Sequence, residues 1–426
     1  MRHLGRRPYD GWFVLAAVSG INFANGATSI AVLTVFLLPL TEAFGWTRTQ
    51  ISAVTAIGAV LGALAAPFTG RLTDSKGARL PLTLGGLFIV LATLNLAAMQ
   101  SLSGFYLAFG LARLADQGFV QVPSPPAVAK WFQRYRGRAM AVLFFSASAG
   151  GVVLPLLVQL VITVWHWRMA WVMLSGIMLV MGFLPCALLV RRQPEDLGVH
   201  VDGESPSEQG VITPPPPGDE TPAAQRSGEV VWSLKDALKT PALWLLLTVM
   251  FIFGVASTGV GLHLVPYLVQ QGIAPAAAVG AVSISFLGSG AGNLMWGFGA
   301  ERLSVRYLLV GAYALRATSL ALLLVIDTTF VAYIFAILKG FTEGGLSTLT
   351  TVLLANYYGR RQLGSIYGLT RSVQVAGFAL GPLISGAAFD TSQSYRTAFV
   401  SFFALSILAT GLIWLARQPL KKQRDL

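Results

Sequence analysis

Apolar stretches of about 20 residues or more recur along the whole chain, and a helix of that length crosses the hydrocarbon core of a bilayer. The chain of 426 residues has only 11% charged residues and a mean hydropathy of +0.66, whereas soluble domains carry about 25% charged residues. We therefore predict an all-α membrane protein with twelve transmembrane helices. The predicted spans are roughly 11–40, 49–69, 80–99, 104–129, 138–164, 168–190, 242–270, 275–298, 307–326, 330–356, 364–389 and 397–416.

Lysine and arginine residues concentrate in the loops on one side of the predicted membrane. Of the 30 in the chain, 23 lie in loops on that side, four lie within predicted spans, and Arg48, Arg168 and Arg396 lie on the other side. Basic loops remain cytoplasmic, so we expect a multi-pass protein of the cell inner membrane with both termini in the cytoplasm. The net charge of +12 is then a topology signal, and no nucleic-acid partner is expected.

One long polar segment, 195–238, separates the first six spans from the last six. It contains four consecutive prolines from Pro214 and the acids Asp219 and Glu220, and a segment of this composition cannot bury a core. We predict a six-helix bundle over 1–194, a cytoplasmic linker over 195–238, and a second six-helix bundle over 239–426.

Several classes of function lack their required residues. A single cysteine, Cys186, allows no internal disulfide or thiolate metal cluster, and the four histidines show no metal-binding spacing. The sequence has no GxxxxGK[ST] phosphate loop, so ATP is not expected to drive the protein. We expect no cofactor, no enzymatic activity and a monomer in the lipid bilayer.

The two sets of six spans match each other at a fixed shift of about 227 residues. The matched residues are helix breakers and charges rather than common apolar types. The pairs are Pro39 with Pro266, Gly45 with Gly272, Gly70 with Gly297, Asp74 with Glu301, Arg79 with Arg306, Arg113 with Lys339, Gly118 with Gly344, Pro155 with Pro382 and Arg168 with Arg396. The match predicts two pseudo-symmetric bundles related by an axis along the membrane normal, with a substrate site between them near the midplane.

Short motifs carry a family resemblance. GRLTDSKGAR (70–79) resembles the G-x-x-x-D-x-x-G-x-R signature of the major facilitator superfamily, and ARLADQG (112–118) resembles its helix 4 pattern. FGWTRTQIS (44–52), PEDLG (194–198), GRRQLGSIYG (359–368) and SYRTAF (394–399) are similar to bacterial relatives of the monocarboxylate transporters and the oxalate–formate antiporter. The resemblance implies the major facilitator fold and transport by alternating access.

The signature residues form a candidate gate at the ends of the two bundles. The gating residues are Gly70, Asp74, Gly77 and Arg79, with the repeat equivalents Glu301 and Arg306. Asp74 is expected in the loop after helix 2, where its carboxylate can meet helix N-terminal amides and loop arginines. Such contacts would latch the cytoplasmic ends together. The alternative is an ordinary basic loop with one acid.

Six Lys, Arg, Asp or Glu residues fall within predicted spans, and each is costly in a bilayer unless it is paired or faces water. They are Arg113, Asp116, Arg316, Lys339, Glu343 and Arg371. Two polar stripes at helical spacing occupy repeat-equivalent positions. They are Arg113, Gln117, Gln121 and Ser124 on helix 4, and Lys339, Glu343, Ser347 and Thr350 on helix 10. The stripes predict the walls of a central cavity, although the charges alternatively pair within each helix, Arg113 with Asp116 and Lys339 with Glu343.

Arg371 is the first candidate to bind a substrate anion. Its guanidinium can hold a carboxylate in a bidentate fork, it has no charged counterpart in the first bundle, and Tyr367 shares its helix face. The other substrate-binding candidates are Arg113, Gln117, Asn25 and Asn293, the last standing where several relatives carry an arginine. For Arg316, a structural partner is expected.

Glu343 and Asp116 are the only acids within spans, and they are the candidates to carry a coupling proton. His263, near the outer end of helix 7, is a further candidate.

Small residues and prolines have a packing interpretation. Gly58 with Gly62, and Gly377 with Gly381, are spaced for close helix packing. A proline cluster is expected to break the inner half of helix 4; its members are Pro123, Pro125 and Pro126.

These observations predict a secondary active transporter for small, monocarboxylate-like organic anions. Cations outnumber acids within the spans, and proton symport or anion exchange would drive transport. The alternative is a proton-coupled efflux pump for drugs or other amphiphiles.

Overall fold

The structure is a computed structural model that describes residues 9–203 and 232–419. Within these ranges the regular structure is entirely helical, and twelve helices follow one another along the chain. They are α1 (Asp10–Phe44), α2 (Arg48–Lys76), α3 (Arg79–Ala98), α4 (102–131), α5 (Arg136–Val164), α6 (Trp167–Leu189), α7 (Pro241–Gln270), α8 (Pro275–Gly299), α9 (Val305–Leu323), α10 (Thr329–Tyr358), α11 (Leu363–Ser392) and α12 (Arg396–Leu415). The predicted all-α fold with twelve spans is confirmed.

Eight of these helices are long and apolar enough to cross a membrane on length and composition alone. The remaining four are α2, α4, α9 and α10, and the last three carry charges that lie within spans. Three of the four helices thus place ionisable groups inside the protein. Arg113, Asp116 and Arg316 are all buried.

Three helices are interrupted inside the bundle. In α1, a 3₁₀ turn over Asn25–Thr28 separates Asp10–Ala24 from Ile30–Phe44. In α4, a π-helical turn over Ala115–Val120 follows Leu102–Leu114, and a short helix, Ser124–Trp131, continues after the proline-containing turn. In α6, a π-helical turn covers Met178–Phe183. The predicted proline break in α4 is thus confirmed, and the π turn that precedes it was not anticipated.

Glycines allow helix backbones to approach closely in the second bundle. A Cβ atom at Gly340 or Gly344 of α10 would collide with the carbonyl oxygen of Ser285 or Ser289 on α8. The α7–α11 pair packs in the same way, because a Cβ atom at Gly377 or Gly381 would collide with α7 backbone. The predicted close packing of the glycine motif on α11 is confirmed, and small residues are the usual means of such contact between membrane helices.

The two bundles meet along α2 with α11 and along α5 with α8. The signature residues 70–76 extend α2 by two turns, so the prediction that they form a loop is wrong. The turn itself is at Gly77, whose φ of +85° is a conformation that favours glycine.

The described ends of the predicted linker are docked onto the bundles, and 204–231 lie outside the described residues. The Asp202 carboxylate accepts hydrogen bonds from the backbone N–H of Gln133 at 3.0 Å and of Arg134 at 2.8 Å. Trp232 packs edge-on against Tyr358, with ring centroids 5.8 Å apart. Next to α1, burial raises the pKa of Tyr9, and its hydroxyl donates to the Trp131 carbonyl at 2.7 Å.

The α8–α10 contact yields a first test. Gly344→Ala forces two backbones apart, so we expect destabilisation by about 1–3 kcal/mol, the usual cost of overpacking, and a lower apparent Tm in detergent. Gly311→Ala is the matched control, because a Cβ atom at this position of α9 meets only open space and alanine is the better helix former. Equal Tm values for the two variants would contradict the packing argument.

Candidate functional site

Two local breaks bring polar groups of α1 and α4 together. The 3₁₀ turn in α1 leaves the Thr28 carbonyl free to accept a hydrogen bond from Arg113 Nη1 at 3.3 Å. In the π turn of α4, the Gln121 N–H bonds to the carbonyl of Asp116, five residues earlier, at 2.9 Å. Such π turns widen a helix by one residue and often occur at functional sites.

Glycines of α2 make room for the polar face of α4. A Cβ atom at Gly58 would collide with the side chain of Arg113, and one at Gly62 would collide with that of Gln117. The predicted close packing of this glycine pair is therefore confirmed. Its local effect is to let two long polar side chains leave α4 toward the interior.

Asp116 is the centre of a buried hydrogen-bond network. One carboxylate oxygen accepts from Asn25 Nδ2 at 2.5 Å and from Gln121 Nε2 at 2.8 Å. The other accepts from Arg113 Nη1 at 2.6 Å and from Gln117 Nε2 at 2.8 Å. All four donors are N–H groups, and the residue is only 2% exposed. The ion pair between Arg113 and Asp116, an alternative left open by the sequence, is formed.

Arg371 reaches from α11 in the second bundle to α4 in the first. Its Nη2 donates to Gln117 Oε1 at 2.9 Å and to Gln121 Oε1 at 2.7 Å. Its Nη1 donates to Gln374 Oε1 at 2.6 Å, and the guanidinium lies 5.5 Å from the centroid of the Phe378 ring. Among the described residues, no acceptor lies within hydrogen-bond distance of the buried Nε.

Part of this network, including Gln121, borders a small cavity between the bundles, about 160 Å³ in volume, whereas Arg113, Asp116 and Gln117 lie behind its wall. Asn25, Tyr367 and Arg371 line it, together with groups from α4, α7 and α10. The network has two cations, Arg113 and Arg371, and one anion, Asp116, so it carries a net charge of +1. An anion is the solute whose binding would neutralise it.

A second charged cluster lies within the second bundle. Glu343 accepts from Lys339 at 2.9 Å and from the hydroxyl of Ser257 at 2.7 Å, and it pairs with Arg316 at 3.5 Å. The Arg316 guanidinium also lies 5.0 Å from the centroid of the Phe253 ring. Glu343 is thus the structural partner expected for Arg316, and the helix-internal pair with Lys339 is formed.

Two predicted site residues lie apart from the cavity network. Asn293 is buried, donates to Ser148 Oγ at 3.1 Å and accepts from Thr348 Oγ1 at 3.0 Å. It joins α8 to α5 and α10 and is not among the residues that line the cavity. His263 contacts the Tyr395 hydroxyl at 3.3 Å and the Pro382 carbonyl at 3.2 Å, so its ring links α7 to the end of α11 and the start of α12.

Asp74 and Glu301 cross between the bundles at equivalent places. Asp74 accepts hydrogen bonds from the N–H groups of Gly364 and Ser365 at 2.8 and 2.6 Å, and from the Ser365 hydroxyl at 2.6 Å. Glu301 accepts from the N–H of Arg138 at 3.1 Å and pairs with its guanidinium at 2.5 Å. The amides that Asp74 meets belong to α11 of the other bundle. The sequence had suggested the vicinity of helix 3, so that location is corrected.

The other signature residues have separate places. A Cβ atom at Gly70 would collide with the Gly364 carbonyl, which makes Gly70 part of the same contact between bundles. Gly77 ends α2, and Arg79 is exposed at the start of α3. Arg306 stacks on its neighbour Tyr307 and donates to the hydroxyl at 3.2 Å.

Sequence reasoning missed several partners of these groups. Gln374 follows Arg371 by three residues and therefore shares its helix face, a signal that was available. Ser257 and Arg138 carry no comparable signal, because each meets its acid from a distant part of the chain. The Glu195–Arg360 ion pair, at 2.6 Å, was also missed, although both residues belong to motifs that carry the family resemblance.

Comparisons with known proteins agree with this architecture. The Major Facilitator Superfamily profile matches residues 18–285 and 274–426. The chain is 23% identical to monocarboxylate transporter 13 of Rattus norvegicus over 418 residues, which cover 97% of this chain and 91% of the relative. It is 24% identical to the oxalate:formate antiporter of Oxalobacter formigenes over 428 residues, covering 97% and 92%.

A solved structure extends the agreement to the fold. The crystal structure of the human organic anion transporter MFSD10 superposes with a TM-score of 0.72 at 15% identity, covering 96% of this chain and 100% of that one. At this identity the likeness concerns the fold alone. The family match covers most of the chain, and the relatives are membrane transporters rather than enzymes. The chain therefore belongs to the major facilitator superfamily.

Proposed function

We propose that the protein is a secondary active transporter that moves a small, monocarboxylate-like organic anion across the inner membrane by alternating access. The observation that carries this proposal is the position of Arg371 in a network of net charge +1 between the two bundles. A guanidinium forms bidentate, charge-assisted hydrogen bonds with a carboxylate. Tyr367 and Asn25, which line the same cavity, complete the proposed binding site, and Gln117 and Arg113 support it from the Asp116 network behind the cavity.

The size of the cavity supports a small substrate. Its volume of about 160 Å³ is below the roughly 300–1,000 Å³ of pockets for drug-sized ligands. An efflux pump for amphiphiles needs a larger and less cationic cavity. The names of the relatives, a monocarboxylate transporter and an oxalate:formate antiporter, favour the same class of substrate. We assign Asn293 to the wall of the second bundle, because the nitrogen and the oxygen of its side-chain amide are each already hydrogen-bonded.

The membrane orientation follows from the basic loops, which we propose to be cytoplasmic together with both termini. The contacts of Asp74 and Glu301 lie on that side, so this conformation is closed toward the cytoplasm. We propose that these two acids, with Gly70, form the gate that opens when the bundles rock apart.

A proton can supply the driving force if one of the two acids within the spans takes it up and thereby releases the donors that its carboxylate holds. A protonated carboxyl donates a hydrogen bond and therefore needs an acceptor. The Ser257 hydroxyl beside Glu343 can rotate and accept, whereas the four N–H donors around Asp116 cannot. Glu343 is therefore the proposed proton carrier, and His263, bonded to Tyr395 and Pro382, is not required. Anion exchange without a proton is the other possible driving force.

Arg371 provides the test of the site. In proteoliposomes, the purified protein should accumulate a labelled short carboxylate. Loss of a charge-assisted contact costs about 1.5–3 kcal/mol, so Arg371→Ala should lower anion affinity roughly 10- to 150-fold. Arg371→Lys keeps the charge without the planar fork and should be partly active. Binding measured by thermal shift on folded variants separates affinity from turnover. Unchanged affinity in Arg371→Ala would remove this residue from the site.

Glu343 provides the test of coupling. Glu343→Gln cannot take up a proton and no longer pairs with Lys339, so a pH gradient should cease to drive accumulation. Exchange of labelled for unlabelled anion should remain measurable. Asp116→Asn is the comparison variant, and it should retain the pH dependence of any uptake that it supports. Undiminished pH-driven accumulation by Glu343→Gln would exclude this acid as the proton carrier.

The proposed gate makes a kinetic prediction. Asp74→Asn removes the charge that faces the N-terminus of α11 but keeps the shape of the side chain. Helix N-termini stabilise a carboxylate by about 0.3–1 kcal/mol or more when it is partly buried. We expect a change in transport rate at nearly unchanged equilibrium affinity. A large loss of affinity at normal turnover would show instead that Asp74 serves the binding site.

A further inference from the structure

We infer that the side-chain oxygens of Gln117 and Gln121 occupy, in the absence of substrate, the place on Arg371 that a substrate carboxylate takes. Asp116 is the positioning residue that orients them. Substrate binding then breaks a bond between the two bundles. This inference rests on the proposed function and adds to it how the empty site is held.

The hydrogen-bonding groups of Asp116 and Arg371 fix the orientation of the two glutamine amides between them. An ionised carboxylate only accepts hydrogen bonds, and a guanidinium only donates them. A glutamine between the two must therefore turn its NH₂ group toward Asp116 and its oxygen toward Arg371. Both glutamines are placed in this way, with N–O distances of 2.8 Å to the acid and of 2.9 and 2.7 Å to the arginine.

The two amide oxygens offer hydrogen-bond acceptors as a carboxylate does, but they carry less negative charge. Gln117 and Gln121 lie four residues apart on α4 and offer two oxygens to one guanidinium nitrogen, much as a carboxylate offers two oxygens to the fork. The bonds from Arg371 to the amides are charged on the donor side only, whereas a bond to a carboxylate is charged on both sides and gains Coulomb attraction. An anionic substrate should therefore displace the amides, whereas a neutral solute should not.

The bond that the substrate replaces joins the two bundles. Arg371 belongs to α11 and the glutamines belong to α4, while the third acceptor, Gln374, lies on the same helix as Arg371. Displacement of Gln117 and Gln121 thus removes a contact between bundles, and displacement of Gln374 would not. In the empty protein the glutamines thus add to the other contacts between the bundles, and the substrate removes this contribution.

Two substitutions of Gln121 with opposite expected effects test the inference. Gln121→Leu removes one competing oxygen and should raise the affinity for a short carboxylate roughly 10-fold, the lower end of the range for one hydrogen bond to a charged group. Gln121→Glu, of the same shape, supplies a built-in carboxylate to Arg371 at the loss of the bond to Asp116, and it should lower that affinity by a larger factor. Gln159→Leu is the control, because this exposed residue of α5 donates only to Thr163 of its own helix.

The bridge itself is tested by cross-linking. Cys186 is the sole cysteine, so Cys186→Ser gives a background for the pair Ala63→Cys and Ser372→Cys, where Ser372 Oγ lies 2.9 Å from the Ala63 carbonyl across the bundle interface. A short carboxylate, tested as lactate and as oxalate, should slow cross-linking. Combining the pair with Gln117→Leu and Gln121→Leu should slow cross-linking even without an anion.

The outcomes separate the two proposals. If the unmodified protein binds no short carboxylate, the proposed function fails. If it does bind one and Gln121→Leu weakens that binding, the glutamine contacts the anion directly and the inference is overturned. The inference would also be overturned if the affinity rises but neither the anion nor the leucine variants change the rate of cross-linking. The glutamines would then not hold the bundles together.

Discussion

Compensation of charge inside an apolar fold is the constraint on which the rest of this structure depends. A bilayer gives no water to an ionised group, so each buried charge needs a partner within the protein. The partners of Asp116 come from α1 and α4, and those of Glu343 come from α7, α9 and α10. The helices of each bundle are therefore held in register by a carboxylate, in addition to their packing contacts. Each cluster keeps one cation more than it has acids.

The duplicated framework is used differently in the two bundles. At the shared offset of 227, Gly58 and Gly62 of α2 correspond to Ser285 and Ser289 of α8. In the first bundle the glycines accommodate long polar side chains from α4, whereas in the second the glycines lie on α10 and the backbones themselves meet. Two helices therefore approach closely at equivalent places in both bundles, but the small residues that permit the approach lie on α2 in the first bundle and on α10 in the second. Arg371, without a charged counterpart in the first bundle, makes the site asymmetric.

The sequence was sufficient for features that depend on one helix and insufficient for features that depend on two distant segments. The spans, the α4 stripe and the pairs Arg113–Asp116 and Lys339–Glu343 follow from spacing along a single helix, and the repeat follows from comparing the two halves of the sequence. The π turn at Ala115–Val120 does not, because π and α turns have the same residue preferences over so short a range. The partner of Asp74 does not follow from the sequence either, because nothing in residues 70–79 indicates that α11 begins beside them.

The two kinds of contact between bundles differ in the free energy needed to break them. In the proposed mechanism, opening of the gate returns the amides at the start of α5 and α11 and the carboxylates of Glu301 and Asp74 to water, so hydration would offset much of the lost hydrogen bonding. The bond between Arg371 and the glutamines lies deeper, where water is scarce and an unsatisfied guanidinium is costly. That bond can be given up only when another acceptor replaces it. An anion in the cavity is such an acceptor, and its charge also cancels the excess cation of the network. Substrate occupancy and release of the bundles are then the same event, because a single guanidinium takes part in both.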